Sequence, residues 1–440
     1  MKNKLSLKEI NRLAIPALFA GIAEPLLSMA DTAFVGHLPS LAKESLAAVG
    51  LVGAFLSMLV WILAQTRSAI STIISQYFGA NKLNQVKELP AQAIFGVVAL
   101  SFIIILLTYP FATSIFKLYN ADATLLDLSV TYYRIRIFGL PFTMFTFAVF
   151  GVFTGLQNTF YPMLIAITGA LLNILFDYFF IYGLGDIIPA MNIQGAAYAS
   201  VLAQFIMAVL ATIFLVKKTS IRLSFKLPFN KEMGNLTNMI FHLFIRTIAL
   251  NVALYFGSAY ATKYGNDSIA AYTIAVNIWF FFAFFIDGYA NAGNILAGKL
   301  YGAKDFNQLF QLGKQLTKYG IFVGLALAVI SLVFYYPIGR AFIDDNKVLD
   351  KFYSIFWIVI LMQPINGIAF VFDGIFKGLG YMKYLRNMLL IATFVGFVPS
   401  ILIADYFQLE LYGIWITFTV WMLLRAGILF FKFKKLPLFK

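Results

Sequence analysis

Acidic and amide side chains stand where an oily chain should carry none. Glu24 and Asp31 are seven residues apart in the apolar stretch 12–36 and share one helical face. Asn173 and Asp177 are four apart in ALLNILFDYFF (170–180), again on one face. Two carboxylates and an amide, with no basic residue close by in sequence, suit a small hard cation or a proton. Na⁺ is held by several oxygens, whereas a proton needs a carboxylate whose ionisation is disfavoured by burial. Asp31, Asn173 and Asp177 are therefore the expected cation ligands, for Na⁺ as for H⁺. For Asp31, near the outer end of its stretch, the alternative is helix capping or contact with water. For Glu24, which precedes Pro25, it is the satisfaction of a broken backbone.

Pro16 and Pro25 interrupt the same stretch, and proline removes a ladder hydrogen bond and kinks a helix. A bend beside a titrating carboxylate would serve as a switch. The second half is charged differently. Arg246 cannot be neutralised and must find a carboxylate, with Asp287 or Asp373 as partner. Asp287 starts a polar stripe with Asn291 and Asn294, and Asp373 shares a face with Asn366 and Lys377. A structural ion pair is the first reading of this second-half network, and direct coupling or substrate contact the other. Arg67 and Arg425 are expected to snorkel or pair, without an assigned role.

The elements that must position these groups follow from composition. Of 440 residues, 61% are hydrophobic and only 12% charged, with 48 Phe, and the mean hydropathy is +0.85. A water-soluble domain has about 45–50% apolar and about 25% charged residues, so the chain reads as an all-α polytopic membrane protein. A hydrocarbon core about 30 Å thick takes about 20 helical residues per crossing. Twelve runs of that kind are legible, near 12–36, 46–78, 91–113, 126–154, 160–182, 193–216, 236–262, 269–297, 315–338, 349–377, 384–405 and 411–432. Placing both termini in the cytoplasm sorts the basic residues by side, about 22 inside against about six outside. Acids such as Asp127, Asp344, Asp345 and Asp350 fall outside. The net charge of +14 is largely this bias, so no nucleic-acid partner is expected. The charged segment MKNKLSLKEINR lacks a following small-residue cleavage site and is expected to remain in place.

The chain also repeats itself. SQYFGANKLNQ (75–85) matches GKLYGAKDFNQ (298–308), LAA (46–48) matches IAA (269–271), Pro141 matches Pro364, and GVFTGL (151–156) matches GIFKGL (374–379), all at an offset of 223 residues. Each half thus holds six spans, and an even number returns the chain to the same side, so the repeats are parallel. The expected organisation is an N-terminal six-helix bundle (1–216), a Lys-rich cytoplasmic linker (217–235) and a C-terminal bundle (236–440). Two such bundles are the architecture of alternating access. No Cys is present and only two His, and the sequence has no H-E-x-x-H, G-x-S-x-G or ATP-binding G-x-x-x-x-G-K-[ST] motif. The chain is therefore expected to be neither an enzyme nor a cofactor protein, and to draw energy from an ion gradient. The aromatic run WFFFAFF (279–285) is expected to face lipid or to pack.

Taken together, IPALFAGIAEPLLSMADTAFVGHL (15–38), LAAVGL (46–51), SQYFGA, KLYGA, GVFTGL and GIFKGL resemble the multidrug and toxic compound extrusion (MATE) family over essentially the whole chain. EPLL…DTAFVG, LFIRT (243–247) and FDGIFKGLG (372–380) look most like its DinF-like branch. The resemblance implies a V-shaped twelve-helix antiporter that exports organic cationic or amphipathic compounds against H⁺ or Na⁺. It implies a cation site at Asp31, Asn173, Asp177 and Ser200, and a bending role for Pro16. It also implies a monomer in the bacterial cytoplasmic membrane. The chain departs from the pattern in having Arg246 where NorM-like relatives carry an acid, and Asn294 where many DinF-like relatives carry Glu; coupling is accordingly placed in the first bundle. A lipid-linked oligosaccharide flippase of the same superfamily is the rival expectation, and a channel is disfavoured because no filter is visible.

Overall fold

The computed structural model describes residues 6–38, 41–119, 123–185 and 187–439. The side chain of Glu24 lies outside the described set. Apart from one isolated β-bridge between Leu184 and Ile188, the described residues form helices, turns and connections. The long helical elements are α1 (Leu7–Gly36), α2 (Ala42–Gly79), α3 (Leu83–Thr108), α4 (Thr124–Gly155), α5 (Phe160–Tyr182) and α6 (Asn192–Lys218). They continue with α7 (Met233–Lys263), α8 (Asn266–Gly302), α9 (Phe306–Val333), α10 (Asn346–Gly378), α11 (Met382–Tyr406) and α12 (Glu410–Lys434). Among the described residues ten helices are long and apolar enough to cross a bilayer, and α10, bent by 49° after Leu361, makes eleven. The remaining expected span falls on α1, whose 30 residues at about 1.5 Å each exceed the hydrocarbon thickness.

The sequence repeat is visible element by element. The third and ninth runs both end sooner than expected and are followed by a short helix, Ala112–Lys117 in one half and Tyr335–Arg340 in the other, again 223 residues apart. The fourth and tenth spans are both broken. Residues Ile137–Gly139 of α4 tighten into a 3₁₀ turn before Pro141, and α10 breaks at Met362 before Pro364. Proline is tolerated in a first turn because its missing N–H has no intrahelical partner there, so each paired proline restarts its helix. Asp305 and Asp345 cap α9 and α10, accepting from Gln308 N–H at 3.1 Å and Lys347 N–H at 2.8 Å.

The paired GVFTGL and GIFKGL motifs gain a physical meaning. A Cβ built on Gly151 or Gly155 would meet the backbone of Arg67 or the side chain of Ile74 on α2, and one on Gly374 or Gly378 would meet the carbonyls of Ala290 or Asn294 on α8. Gly320 of α9 and Gly367 of α10 likewise face each other's carbonyls. Small residues let membrane helices approach closely where hydrophobic driving force is absent. Gly374→Leu, whose Cβ alone would collide with the Ala290 carbonyl oxygen, should separate α8 from α10. We expect a loss of at least about 3 kcal/mol, seen as collapsed yield and early thermal unfolding of the purified protein. Wild-type stability would show that this approach is dispensable.

The chain divides into two compact units, one of Phe19–Tyr77 and Lys82–Thr237, the other centred on Asn238–Lys440. The second also takes in α1 up to Leu18 and the stretch Phe78–Asn81, residues the sequence reading assigns to the N-terminal bundle. Close packing explains this: Gly288 of α8 lies against the Ala14 carbonyl and Leu18, and Tyr289 donates to Asn11 at 3.1 Å. Within this unit α10 packs on α8, α9 and α12. Its core includes Trp279, Phe282, Phe397, Trp415, Phe418 and Trp421. The WFFFAFF run accordingly splits, with Trp279 and Phe282 buried and Phe281 exposed.

Candidate cation-coupling site

Four expected residues converge inside the first unit. Asp31 comes from α1, Asn173 and Asp177 from consecutive turns of α5, and Ser200 from α6; all four are buried. Ser200 Oγ donates to Asp31 Oδ2 at 3.1 Å. With its amide turned so that the NH₂ faces the acids, Asn173 donates to Asp31 Oδ1 at 2.9 Å and to Asp177 Oδ2 at 3.2 Å, while its carbonyl accepts from the Ser200 N–H at 3.3 Å. The two carboxyl groups also lie within hydrogen-bonding reach of each other. Asp177 Oδ1 is buried with no hydrogen-bond donor among the described residues.

The helices are held in register around this pocket. Gly195 of α6 sits against the Phe180 carbonyl of α5, leaving no room for a side chain. Tyr182 of α5 donates to the Phe34 carbonyl of α1 at 2.7 Å, fixing the end of α1 that carries Asp31. The capping or water-contact alternative for Asp31 is not what the structure shows, because its side chain is only 5% exposed and is bonded across helices.

Sequence reasoning did not include a second layer. Arg136, just before the break in α4, acts electrostatically on both Asp31 and Asp177. It donates to Gln204 Oε1 at 3.0 Å and is hydrogen-bonded to the buried Tyr132. A Cβ at Gly139 would lie 1.8 Å from Gln204 Oε1, so this glycine makes room for the Arg136–Gln204 contact. The available signal was spacing: Tyr132 and Arg136 share a helical face, as do Ser200 and Gln204. Among the described side chains the pocket therefore sets two carboxylates against one guanidinium. Among the described residues no group of three or more His, Asp or Glu could hold a metal ion.

Pro16 and Pro25 do not interrupt their helix. The helix runs unbroken from Leu7 to Gly36 through both, since neighbouring packing in a membrane helix tolerates one lost ladder bond. They fall in different units, Pro16 in the one that holds α1 up to Leu18 and Pro25 in the other.

In the second half, Asp373 is the partner of Arg246, one of the two carboxylates expected for it. Arg246 Nη2 pairs with Asp373 Oδ1 at 2.6 Å, and Lys377 Nζ with Asp373 Oδ2 at 3.0 Å. Asp287 instead sits at an exposed position and accepts from Asn291 Nδ2 at 2.9 Å one turn on. Asn366 turns to Gln363 at 3.2 Å. Arg425, which carried no expected role, is only 2% exposed and within electrostatic reach of both Arg246 and Asp373.

A helical membrane protein in two repeated halves, with a carboxylate pocket buried in one of them, has the make-up of a transporter. The MatE family model matches residues 16–179 and 243–402, once in each half, and the chain belongs to that family. Its members are multidrug and toxic compound efflux transporters rather than enzymes. The chain is 25% identical to DNA damage-inducible protein F of Escherichia coli (strain K12), covering 95% of this chain and 90% of that one. It is 23% identical to the probable multidrug resistance protein NorM of Thermotoga maritima, over 93% and 88%. Among solved structures, the bent form of the Vibrio cholerae MATE transporter VcmN matches with a TM-score of 0.89 at 19% identity, covering 97% of this chain and 96% of that one. A MOP superfamily transporter from Pyrococcus furiosus, described as having a binding pocket of reverse polarity, matches with 0.88 at 22%, over 97% and 95%.

Proposed function

We propose that the protein is a secondary active exporter that moves amphipathic or cationic organic compounds out of the cell by antiport with H⁺ or Na⁺, through alternating access. The observation that carries this reading is the charge imbalance of the first-unit pocket: Asp31 and Asp177 face each other beside one Arg136. Two ionised carboxylates in hydrogen-bonding reach, away from water, are untenable without a cation between them. A proton on one of them, or a Na⁺ ligated by both acids, the Asn173 amide and the Ser200 hydroxyl, completes the neutral state. Loss of that ion would leave an uncompensated negative charge in oil, and this difference in stability is what couples ion occupancy to conformation. The protein would sit as a monomer in a bacterial cytoplasmic membrane with both termini inside, with no cofactor beyond the coupling ion.

Reconstitution into liposomes tests this directly. With H⁺ and Na⁺ gradients imposed separately across vesicles loaded with a panel of organic ions, one gradient should drive substrate movement and collapsing it should stop the movement. Transport indifferent to both gradients would overturn the antiport reading. The three basic residues around Asp373 favour one rival, a flippase for a lipid-linked phosphate, which the same vesicles would reveal as gradient-independent exchange of a labelled lipid phosphate between leaflets.

A further inference from the structure

Cation exchange gives no use to the positive charge buried in the second unit. Arg246 and Lys377 grip one carboxylate, Asp373, and a third buried cation, Arg425, lies within electrostatic reach of it. Each oxygen of Asp373 is already engaged, one by Arg246 and the other by Lys377. Arg425 is left with the Met422 sulfur at 3.1 Å, the face of Trp421 at 4.7 Å and the ring of Phe370 at 5.5 Å. Sulfur and ring faces supply no net negative charge. The Nε atoms of Arg246 and Arg425 are both buried without a hydrogen-bond partner among the described residues. A guanidinium stays protonated and offers five donors, so two such groups in a membrane interior, with donors unspent, leave a standing demand for an anion.

The surroundings suit the rest of an amphiphile. Trp421, stacked on Arg425, donates its indole N–H to Thr393 Oγ1 at 3.1 Å, and Thr393 in turn donates to the Ala249 carbonyl at 3.3 Å. Thr393 belongs to a π-helical stretch, Ala392–Phe397, inside α11, and such stretches recur at functional sites. We propose that this cluster binds the anionic head group, a phosphate or carboxylate, of an amphipathic compound. Arg246, Arg425 and Lys377 hold the oxygens, and the half-buried ring of Phe370 takes the adjoining apolar part. The bidentate fork of arginine matches the geometry of both head groups. Only the direction of transport rests on the exporter reading; binding itself needs no gradient.

The test uses the full-length protein in neutral detergent and three probes of equal chain length: decyl phosphate, decanoate and decyltrimethylammonium. Binding is followed by the change in tryptophan fluorescence, assigned to Trp421 by its loss in Trp421→Phe. Saturable binding of the two anions should be about tenfold or more tighter than that of the ammonium compound. Arg425→Gln should weaken the anions by about tenfold or more and leave the ammonium compound unchanged, with Arg425→Lys between the two. Should Arg425→Gln fail to fold, Lys377→Met, whose side chain is partly exposed, should show the same selective loss. Equal affinity for the ammonium probe, or unchanged anion binding in these variants, would overturn the proposal. Competition by inorganic phosphate would support it with a free anion as the source, and selectivity for the decyl compounds over inorganic phosphate would support it with a lipid-like source. Anion binding in a protein that fails every gradient assay would sink the exporter reading alone; gradient-driven transport without anion binding would sink this one alone.

Discussion

Asp31→Asn should reduce gradient-driven efflux from proteoliposomes to the level of protein-free vesicles while leaving the protein folded and inserted. The reason is charge. Asp31 and Asp177 stand beside Arg136, and on the proposed mechanism the coupling ion supplies the further positive charge. With asparagine at 31, one carboxylate faces one guanidinium and the pocket is balanced without an ion. The shape is nearly kept: an amide oxygen at the Asp31 Oδ2 position still accepts from Ser200, and the new NH₂ at the Oδ1 position finds an acceptor once the Asn173 amide turns its oxygen towards it and its NH₂ towards Ser200. Stability should therefore change by no more than about 1 kcal/mol. Fluorescence-detected thermal unfolding and a proteoliposome assay on the same preparation separate the two effects. Transport at the native rate in Asp31→Asn would remove this residue from coupling.

Asp373→Asn should behave in the opposite way, as a variant that barely folds. It strips the carboxylate from between Arg246 and Lys377, with Arg425 close by. Breaking a buried ion pair by deleting one partner costs about 3–5 kcal/mol, because the surviving charge is stranded. Removing Arg246 as well should return part of that loss, so the double variant Asp373→Asn/Arg246→Met is expected to unfold later than Asp373→Asn alone. A double-mutant cycle isolates this coupling. Simple additivity would mean that the pair contributes nothing to holding α7 against α10.

These predictions rest on features of very different legibility. The helical elements were readable because a bilayer imposes length and hydrophobicity on every crossing. The repeat was readable because Pro141 and Pro364, and the two glycine motifs, do the same mechanical work in each half. Asp31, Asn173 and Asp177 stood out because ionisable and amide groups are rare in apolar helices. Arg136 and Gln204 were missed because each lies on a face whose neighbour is set by another helix. The partner of Arg246 was likewise undecided: Asp287 and Asp373 are equally plausible along the chain. Packing of α10 among α8, α9 and α12 put Asp373 against Arg246, while Asp287 stays exposed and accepts from Asn291 of its own helix.

Sequence by itself determined the membrane class, the helical elements, the two-fold internal repeat and the presence of acids too costly to bury without purpose, because each of these is a property of local composition and spacing. Only the tertiary structure decided which charges meet. Among the described residues, helix rotation and close glycine contacts bring Asp31 and Asp177 together beside Arg136 in the first unit, and set Arg246, Lys377 and Arg425 near Asp373 in the second. Charges in oil are balanced by neighbours in space, and distance along the chain carries no information about which those are.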